Sequence, residues 1–283
     1  MSRTVSVVIP AHNAELTIRE AIESVGAQTV VPDETVVACD GCTDSTAEIA
    51  RDAGAKVIEL PKGNGSIARN AGAKTAKGDL YFFLDADDWW EPQKVERHLA
   101  AWDDFDGSFV IDRSTPWNPD GSRSYWTGGL AGPGEAGWER YLSHKAWASG
   151  SSFSVGRECY WSIGGFNEDL NKFQDVDFWI RSAYECGAAY TLSESLTNYR
   201  LSEGGSVSRT TDFIEENLVT LFAGWPFVTA QQSEAFRSHA YLMAAEVTPW
   251  SASVEYFKRA RWPVGRRYFW KCLFHSLRLS RSA

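Results

Sequence analysis

The feature that most constrains this 283-residue sequence is a cycle repeated three times in its first eighty positions and followed by a fourth strand: an apolar, β-branched run, a polar turn, then a segment of helical periodicity. Thr4 to Ile9 stops at Pro10, and Ile18, Ala21, Ile22 and Val25 follow at helical spacing. Thr35 to Ala38 precedes a helix with Ile49 and Ala50, and Lys56 to Leu60 precedes one with Ile67 and Ala71. The fourth strand, Leu80 to Leu84, ends at Asp85. Strands and helices alternating over such short connections predict an α/β fold, a mostly parallel sheet with helices on both faces.

Sheets of this kind take ligands beyond the carboxyl ends of their strands. Those ends carry Ala11-His12-Asn13, then Asp40 and Asp44, then Asp85-Ala86-Asp87-Asp88. Acids collected at the end of a buried strand repel one another unless a cation or partner compensates, and hard oxygen ligands select Mg²⁺ or Mn²⁺. Asp85 and Asp88 would also serve to cap a helix beginning near Pro92. Upstream, Gly63-Asn64-Gly65 feeds a helix bearing Arg69 and Asn70; Arg69 suits a phosphate or a base, and equally a surface ion pair.

A composition of 43% hydrophobic and 23% charged residues excludes a disordered, collagenous or coiled-coil chain. No apolar run reaches the ~18 residues of a membrane span. The first residues lack the pattern of a signal peptide, so a cytoplasmic protein is expected. The net charge of -9 is uneven: Lys258 to Arg281 carries eight basic residues, leaving 20 bases against 37 acids elsewhere. An acidic body disfavours nucleic acid as a partner. Five cysteines at irregular spacing do not make a disulfide framework. Cys39 and Cys42 form a Cys-x-x-Cys that reads as a redox pair or half a zinc site.

Farther along, Phe109 to Ile111 reads as a strand, and Ser114 to Trp138, with six Gly and three Pro, as a long loop. Trp117, Tyr125, Trp126 and Trp138 in that loop offer flat apolar faces to a sugar ring or lipid, or to a core. From about Thr211 the pattern becomes helical. Segment 258–281 joins Arg266, Arg267, Lys271 and Arg278 to Phe269, Trp270, Leu273, Phe274 and Leu277. It suits a helix lying on an anionic membrane, or one docked on the domain or on a second copy in a homodimer.

The run from Val5 to Asn13, Asp40-Gly41-Cys42-Thr43-Asp44, Ala68-Arg69-Asn70-Ala71-Gly72 and Phe83 to Asp88, in this order and spacing, resembles the family 2 glycosyltransferases of GT-A fold. The resemblance continues through Gly164 to Asp169 and Gln174 to Arg181, ending near Tyr199-Arg200. It implies a GT-A domain over 1–211, with a nucleotide-binding half of about 1–105 and an acceptor-side half of about 106–211, followed by a helical extension over 212–283. It also implies inverting transfer of a sugar from a nucleotide diphosphate, a UDP-sugar by preference, to a hydroxyl acceptor that is a saccharide, a lipid-linked saccharide or a small molecule. By that resemblance Asp87 is the metal ligand for Mn²⁺ or Mg²⁺, Asp85 meets the donor ribose or the metal, and Asp40 binds the base or ribose. Pro10 and Asn13 shape the same pocket, Arg69 donates to the base or diphosphate, and Asp175 is the general base.

The chain departs from the family pattern at three places. Gln174 replaces the Glu of a Glu-Asp pair, Ser202 and Glu203 stand where relatives carry a His, and Cys39 and Cys42 bracket Asp40. Two other readings therefore stay open. One is a degenerate member that binds a nucleotide sugar or partner without turnover. The other is a nucleotidyltransferase, which would need a basic Gly-rich loop where Pro10-Ala11-His12-Asn13 stands. Asp175 also has a plainer reading as a helix start, with Phe178, Trp179 and Ala183 packing inward.

Overall fold

A computed structural model describes residues 3–123, 134–142, 149–201, 214–246 and 256. The first four strands and three helices form as their periodicity predicts: β1 (Val5–Ala11), α1 (Ile18–Gly26), β2 (Glu34–Asp40), α2 (Thr46–Asp52), β3 (Lys56–Leu60), α3 (Gly65–Thr75) and β4 (Leu80–Phe83). After them come β5 (Trp89–Trp90), α4 (Lys94–Asp104), β6 (Phe109–Trp117), β7 (Gly134–Ala136), α5 (Trp138–Leu142), β8 (Phe153–Gly156), α6 (Arg157–Ser162), α7 (Gln174–Glu185) and β9 (Ala189–Arg200). The strands form one sheet in the order β3-β2-β1-β4-β8-β6-β9-β5, with β7 on β9.

Strands β1 to β4 are mutually parallel, because each is separated from the next by a helical crossover. Beyond β4 the sheet becomes mixed: β8 runs antiparallel to both β4 and β6, while β6 and β9 are parallel. Helix α1 buries Ile18, Ala21, Ile22 and Val25, the stripe read from the sequence. Helix α3 lies so close to β1 that a Cβ on Gly72 would stand 2.4 Å from Val8 Cγ1. Part of the segment expected to be a Gly-rich loop is strand, since β6 continues to Trp117 beside β9. Trp117 packs on Trp89 at 5.8 Å and Trp138 on Tyr184 at 5.9 Å. Tyr125 and Trp126 lie outside the described residues.

Asn70, in α3, gathers the segment that leads into α7. Its Nδ2 donates to the Phe166 carbonyl at 2.9 Å and to Glu168 Oε1 at 2.8 Å, and its Oδ1 accepts from Tyr160 Oη at 2.6 Å and Phe166 N at 2.9 Å. The turn opposite needs Gly165, whose φ of 71° is left-handed. A Cβ there would lie 2.6 Å from Asn70 Oδ1.

A second polar cluster sits in the core between α4 and the sheet. Lys94, His98 and Asp112 are all buried. Lys94 Nζ pairs with Asp112 Oδ2 and donates to Thr197 Oγ1 at 3.0 Å. His98 lies 3.0 Å from Asp112 Oδ2 and 2.8 Å from Ser154 Oγ. Buried charges of this kind survive only when paired and hydrogen-bonded, as here.

Two compact units emerge; among the described residues the first holds 3–123, 134–141, 149–168 and Gln174–Leu201. The second unit includes Asp169–Phe173 and, among its described residues, α8 (Ile214–Gly224) and α9 (Ala230–Glu246). Within it Asn217 Oδ1 accepts the backbone N–H groups of Asn171 and Lys172 at 2.8 and 2.9 Å. Segment 258–281 lies outside the described residues, as do Ser202 and Glu203. Among the described residues no helix is long and apolar enough to cross a membrane. Contrary to the cysteine reading, Cys159 and Cys186 are joined in a disulfide with Cα atoms 5.9 Å apart. Their 27-residue separation carries no local signal; the packing of α6 beside α7 creates the pair.

Two predictions follow from these contacts. Burial and the neighbouring Lys94 push His98 down to about 4, from an ordinary 6.5. An unfolded chain therefore takes up that proton first as pH falls, so the His98 contribution is complete above about 6.5 and is lost on approach to 4. Urea titrations at pH 7.5 and 4.5 should show a loss of stability that shrinks by about 2–3 kcal/mol in His98→Gln. Gly165→Ala should cost about 1–2 kcal/mol for its left-handed backbone alone, read as a lower urea midpoint. An unchanged midpoint would contradict the role given to this turn.

Candidate active site

The carboxyl end of β2 delivers Asp40 beneath the 62–65 turn. Its side chain is buried, with Oδ1 accepting Gly63 N–H at 2.5 Å and Oδ2 paired with Lys62 Nζ at 3.0 Å. His12 Nδ1 donates to the Asp40 carbonyl at 2.7 Å, which fixes the proton on that nitrogen. Asn13 takes a left-handed φ of 49°, and its Oδ1 accepts from Thr43 N at 2.8 Å. Pro10, half-buried, is the β1 position paired with Ala38. Pro10, Asn13 and Asp40 thus share the end of the β1–β2 pair.

Cys39 is buried and Cys42 donates to the Ala11 carbonyl at 3.5 Å. Burial, followed by a hydrogen bond with Cys42, pushes Cys39 up to about 12. A thiol kept so far from thiolate is a poor nucleophile and metal ligand at neutral pH, which disfavours the redox and zinc readings.

The end of β4 supplies the second group. Arg69, from α3, donates from Nη2 to Asp85 Oδ1 at 2.5 Å and from Nη1 to Gln174 Oε1 at 3.4 Å, with its guanidinium 5.3 Å from the centre of the Phe166 ring. Two glycines leave room for this pair: a Cβ on Gly65 would lie 2.8 Å from Arg69 Nη1, and one on Gly150 3.2 Å from Asp85 Oδ2. Asp175 stands in the first turn of α7, with Oδ1 accepting its neighbour Val176 N–H at 2.8 Å. Burial raises its pKa, Arg69 opposes the shift and Asp85 adds to it, so all three groups feel one another. The plainer reading holds alongside, because Phe178, Trp179 and Ala183 are buried on the same helix.

Asp87 is exposed, yet enough protein surrounds its carboxyl group that desolvation, together with Asp85, pushes it up to about 6. Asp88 is buried and turns inward, accepting from Ser151 Oγ at 2.5 Å and Arg200 N at 2.9 Å. Neither Asp85 nor Asp88 caps α4, whose N-cap position is Gln93. The structure therefore brings Arg69, Asp85, Asp87, Gln174 and Asp175 together. Asp40 adjoins them through the turn that carries Gly63 and Gly65. Sequence reasoning missed Lys62, Ser151 and Arg200. Ser151 lies in the run Ser149-Gly150-Ser151-Ser152 and Arg200 in the Tyr199-Arg200 pair that ends the resemblance, whereas nothing local marked Lys62.

Among the described residues no cluster of three or more His, Cys, Asp or Glu side chains is placed to hold a metal by itself. The donor set nonetheless fits Mg²⁺ or Mn²⁺. These cations are commonly held by one or two carboxylates, with water and substrate phosphates completing the shell. Asp87 offers an exposed oxygen ligand whose charge is opposed by a neighbouring Asp85.

A model of the Glycosyl transferase family 2 matches residues 6–164. An uncharacterised glycosyltransferase of Rickettsia prowazekii is 38% identical over 112 residues, covering 39% of this chain and 35% of that protein. This match thus spans about a third of that relative's length. An uncharacterised glycosyltransferase of Haemophilus influenzae is 26% identical over 253 residues, covering 84% of this chain and 83% of the relative. The chondroitin synthase of Pasteurella multocida is 30% identical over 186 residues, covering 62% of this chain and 18% of the synthase. Among solved structures, residues 1–349 of S. aureus TarS in complex with UDP-GlcNAc superpose with a TM-score of 0.68 at 20% identity, covering 86% of this chain and 71% of that one. That likeness is one of fold, the GT-A arrangement of a mostly parallel sheet flanked by helices. With more than half of its length matched by the family model, this chain belongs to glycosyl transferase family 2.

Proposed function

We propose that the chain transfers a sugar, with inversion, from a nucleoside diphosphate donor to a hydroxyl acceptor, with a UDP-sugar the favoured donor. The observation that carries this reading is the placing of Arg69 against Asp85, with Asp175 close enough to feel both charges and Asp87 exposed on the same turn. The reading is supported by TarS, which binds UDP-GlcNAc, and by relatives named chondroitin synthase and hyaluronan synthase.

Each role follows from charge and position. Breaking the bond between sugar and phosphate leaves negative charge on the diphosphate. Arg69 donates toward that group, and Asp40 with Asn13 and Pro10 holds the nucleoside end. Asp87, with Asp85 beside it, would hold Mg²⁺ or Mn²⁺, which supplies Lewis-acid stabilisation of the leaving diphosphate. An acceptor hydroxyl attacks weakly while protonated, so a carboxylate must take its proton as the new bond forms. Asp175 does so, and the burial that raises its pKa makes it a stronger base than an exposed aspartate. Gln174, in place of an acid, keeps a second negative charge away from Asp175 and leaves Arg69 committed to Asp85.

A thermal-shift series with UDP, GDP, dTDP and CDP, each with and without Mn²⁺, identifies the nucleotide; a cation-dependent rise in Tm with one of them is expected. Asp175→Asn should then lose about 10²- to 10⁴-fold in donor turnover while the nucleotide-induced shift persists. Equal turnover in this variant and the parent would remove Asp175 from the role of base. No shift with any nucleotide would remove the donor reading.

A further inference from the structure

The turn that presents Asp85 and Asp87 is held by one hydroxyl group at both ends. Ser151 Oγ accepts the Asp85 N–H at 2.9 Å and donates to Asp88 Oδ2 at 2.5 Å, so it touches the first and last residues of the turn. The turn itself closes through Asp88 N–H on the Asp85 carbonyl at 3.0 Å. On its other side Arg200 donates from its backbone N–H to Asp88 Oδ1 at 2.9 Å and from Nε to the Asp87 carbonyl at 2.9 Å. Asp88 and Ser151 are both buried, so neither bond is exchanged with bulk water.

Ser151 is itself held rigidly. Its carbonyl accepts from Trp90 Nε1 at 2.9 Å and lies 3.4 Å from Thr197 Oγ1, a hydroxyl of the buried Lys94–Asp112 cluster that donates to Asp112 Oδ1 at 2.8 Å. One residue away, Ser152 folds back on the Ser149 carbonyl, with N and Oγ at 3.0 and 2.6 Å. Gly150, between Ser149 and Ser151, is the residue whose missing side chain leaves room for Asp85 and Arg69. The 149–152 segment therefore sets the turn from behind while staying clear of the Arg69–Asp85 pair in front.

We infer that Ser151 is a positioning residue for the donor's diphosphate and its cation: through Asp88 and the Asp85 N–H it fixes where the Asp85 and Asp87 carboxylates stand. This rests on the donor reading proposed above. Removing the hydroxyl leaves a buried carboxylate oxygen without its donor and the Asp85 N–H without its acceptor. The turn must then reshape, and the two carboxylates move with it. The Asp40, Lys62 and Gly63 contacts do not involve Ser151, so binding of the nucleoside end is unaffected.

The test separates those two contributions. Calorimetry on the full chain measures affinity for the nucleoside diphosphate, chosen from UDP, GDP, dTDP and CDP, first without a divalent cation and then with Mn²⁺. Ser151→Ala should keep the cation-free affinity and lose about 10- to 100-fold of the gain that Mn²⁺ provides, the range typical of partners that orient a metal ligand. Ser151→Thr, which retains an oxygen for both bonds, should recover most of that gain. A Ser151→Ala chain that keeps the parent's Mn²⁺ gain overturns the proposal. So does one that loses cation-free and cation-bound affinity in equal proportion, with a lowered Tm, because that is general damage to the fold. A parent chain that binds none of the four nucleotides overturns the donor reading instead, and one that binds a nucleotide with no Mn²⁺ gain overturns the cation role and this proposal with it.

Discussion

One guanidinium among several carboxylates is the interaction on which this site depends. Asp87, Asp88 and Asp175 lie near the ends of a buried strand and a helix, where desolvation and the neighbouring charge of Asp85 favour their neutral forms. Arg69 opposes that tendency, bonded to Asp85, pulling on Asp175 and adding to the stronger pull of Arg200 on Asp87. Asp88 turns into the core, where burial holds its pKa well above the ordinary carboxylate range despite two hydrogen bonds that it accepts. The division leaves Asp87 as the exposed, underneutralised group of the turn, a condition suited to an incoming cation and ill suited to a purely structural carboxylate.

Holding charges in such an arrangement requires a stiff support, and two polar networks provide it. Asn70, the residue after Arg69, uses its whole amide group to bind α3 to the segment entering α7. The distance between Arg69 and the first turn of α7 is thereby set by a side chain that itself takes no part in the chemistry. Behind the 85–88 turn, the Lys94–Asp112 pair joins α4 to the sheet and reaches Ser151 through Thr197. A buried ion pair often adds little net stability compared with apolar packing. Here it ties α4 to β6 and to β9, the strand that ends at Arg200 beside the turn.

The parallel half of the fold was legible because its information is local. Short apolar, β-branched runs and helical spacing place β1 to β4 and α1 to α3, and a buried parallel strand leaves its polar residues at the carboxyl end, where Asp40 and Asp85 stand. The part of the sheet beyond β4 was much less readable. Strand β8 enters the sheet between β4 and β6 although it follows both in the chain, and its four residues carry no signal of direction. The same limit hid the Cys159–Cys186 bond, the burial of Lys94 and His98, and the use of Asp88 for support rather than capping. Each depends on a partner far away in the chain.

The amino-acid sequence alone determined the alternation of strand and helix, the acids at the strand ends and the family to which those motifs point, because each is written in neighbouring residues. Only the tertiary structure decided which carboxylate is neutralised, which is buried and which faces solvent. Those outcomes depend on desolvation and on charges from elements distant in sequence, and Arg69, Ser151 and Arg200 acquire their meaning only when the chain has folded around the same turn.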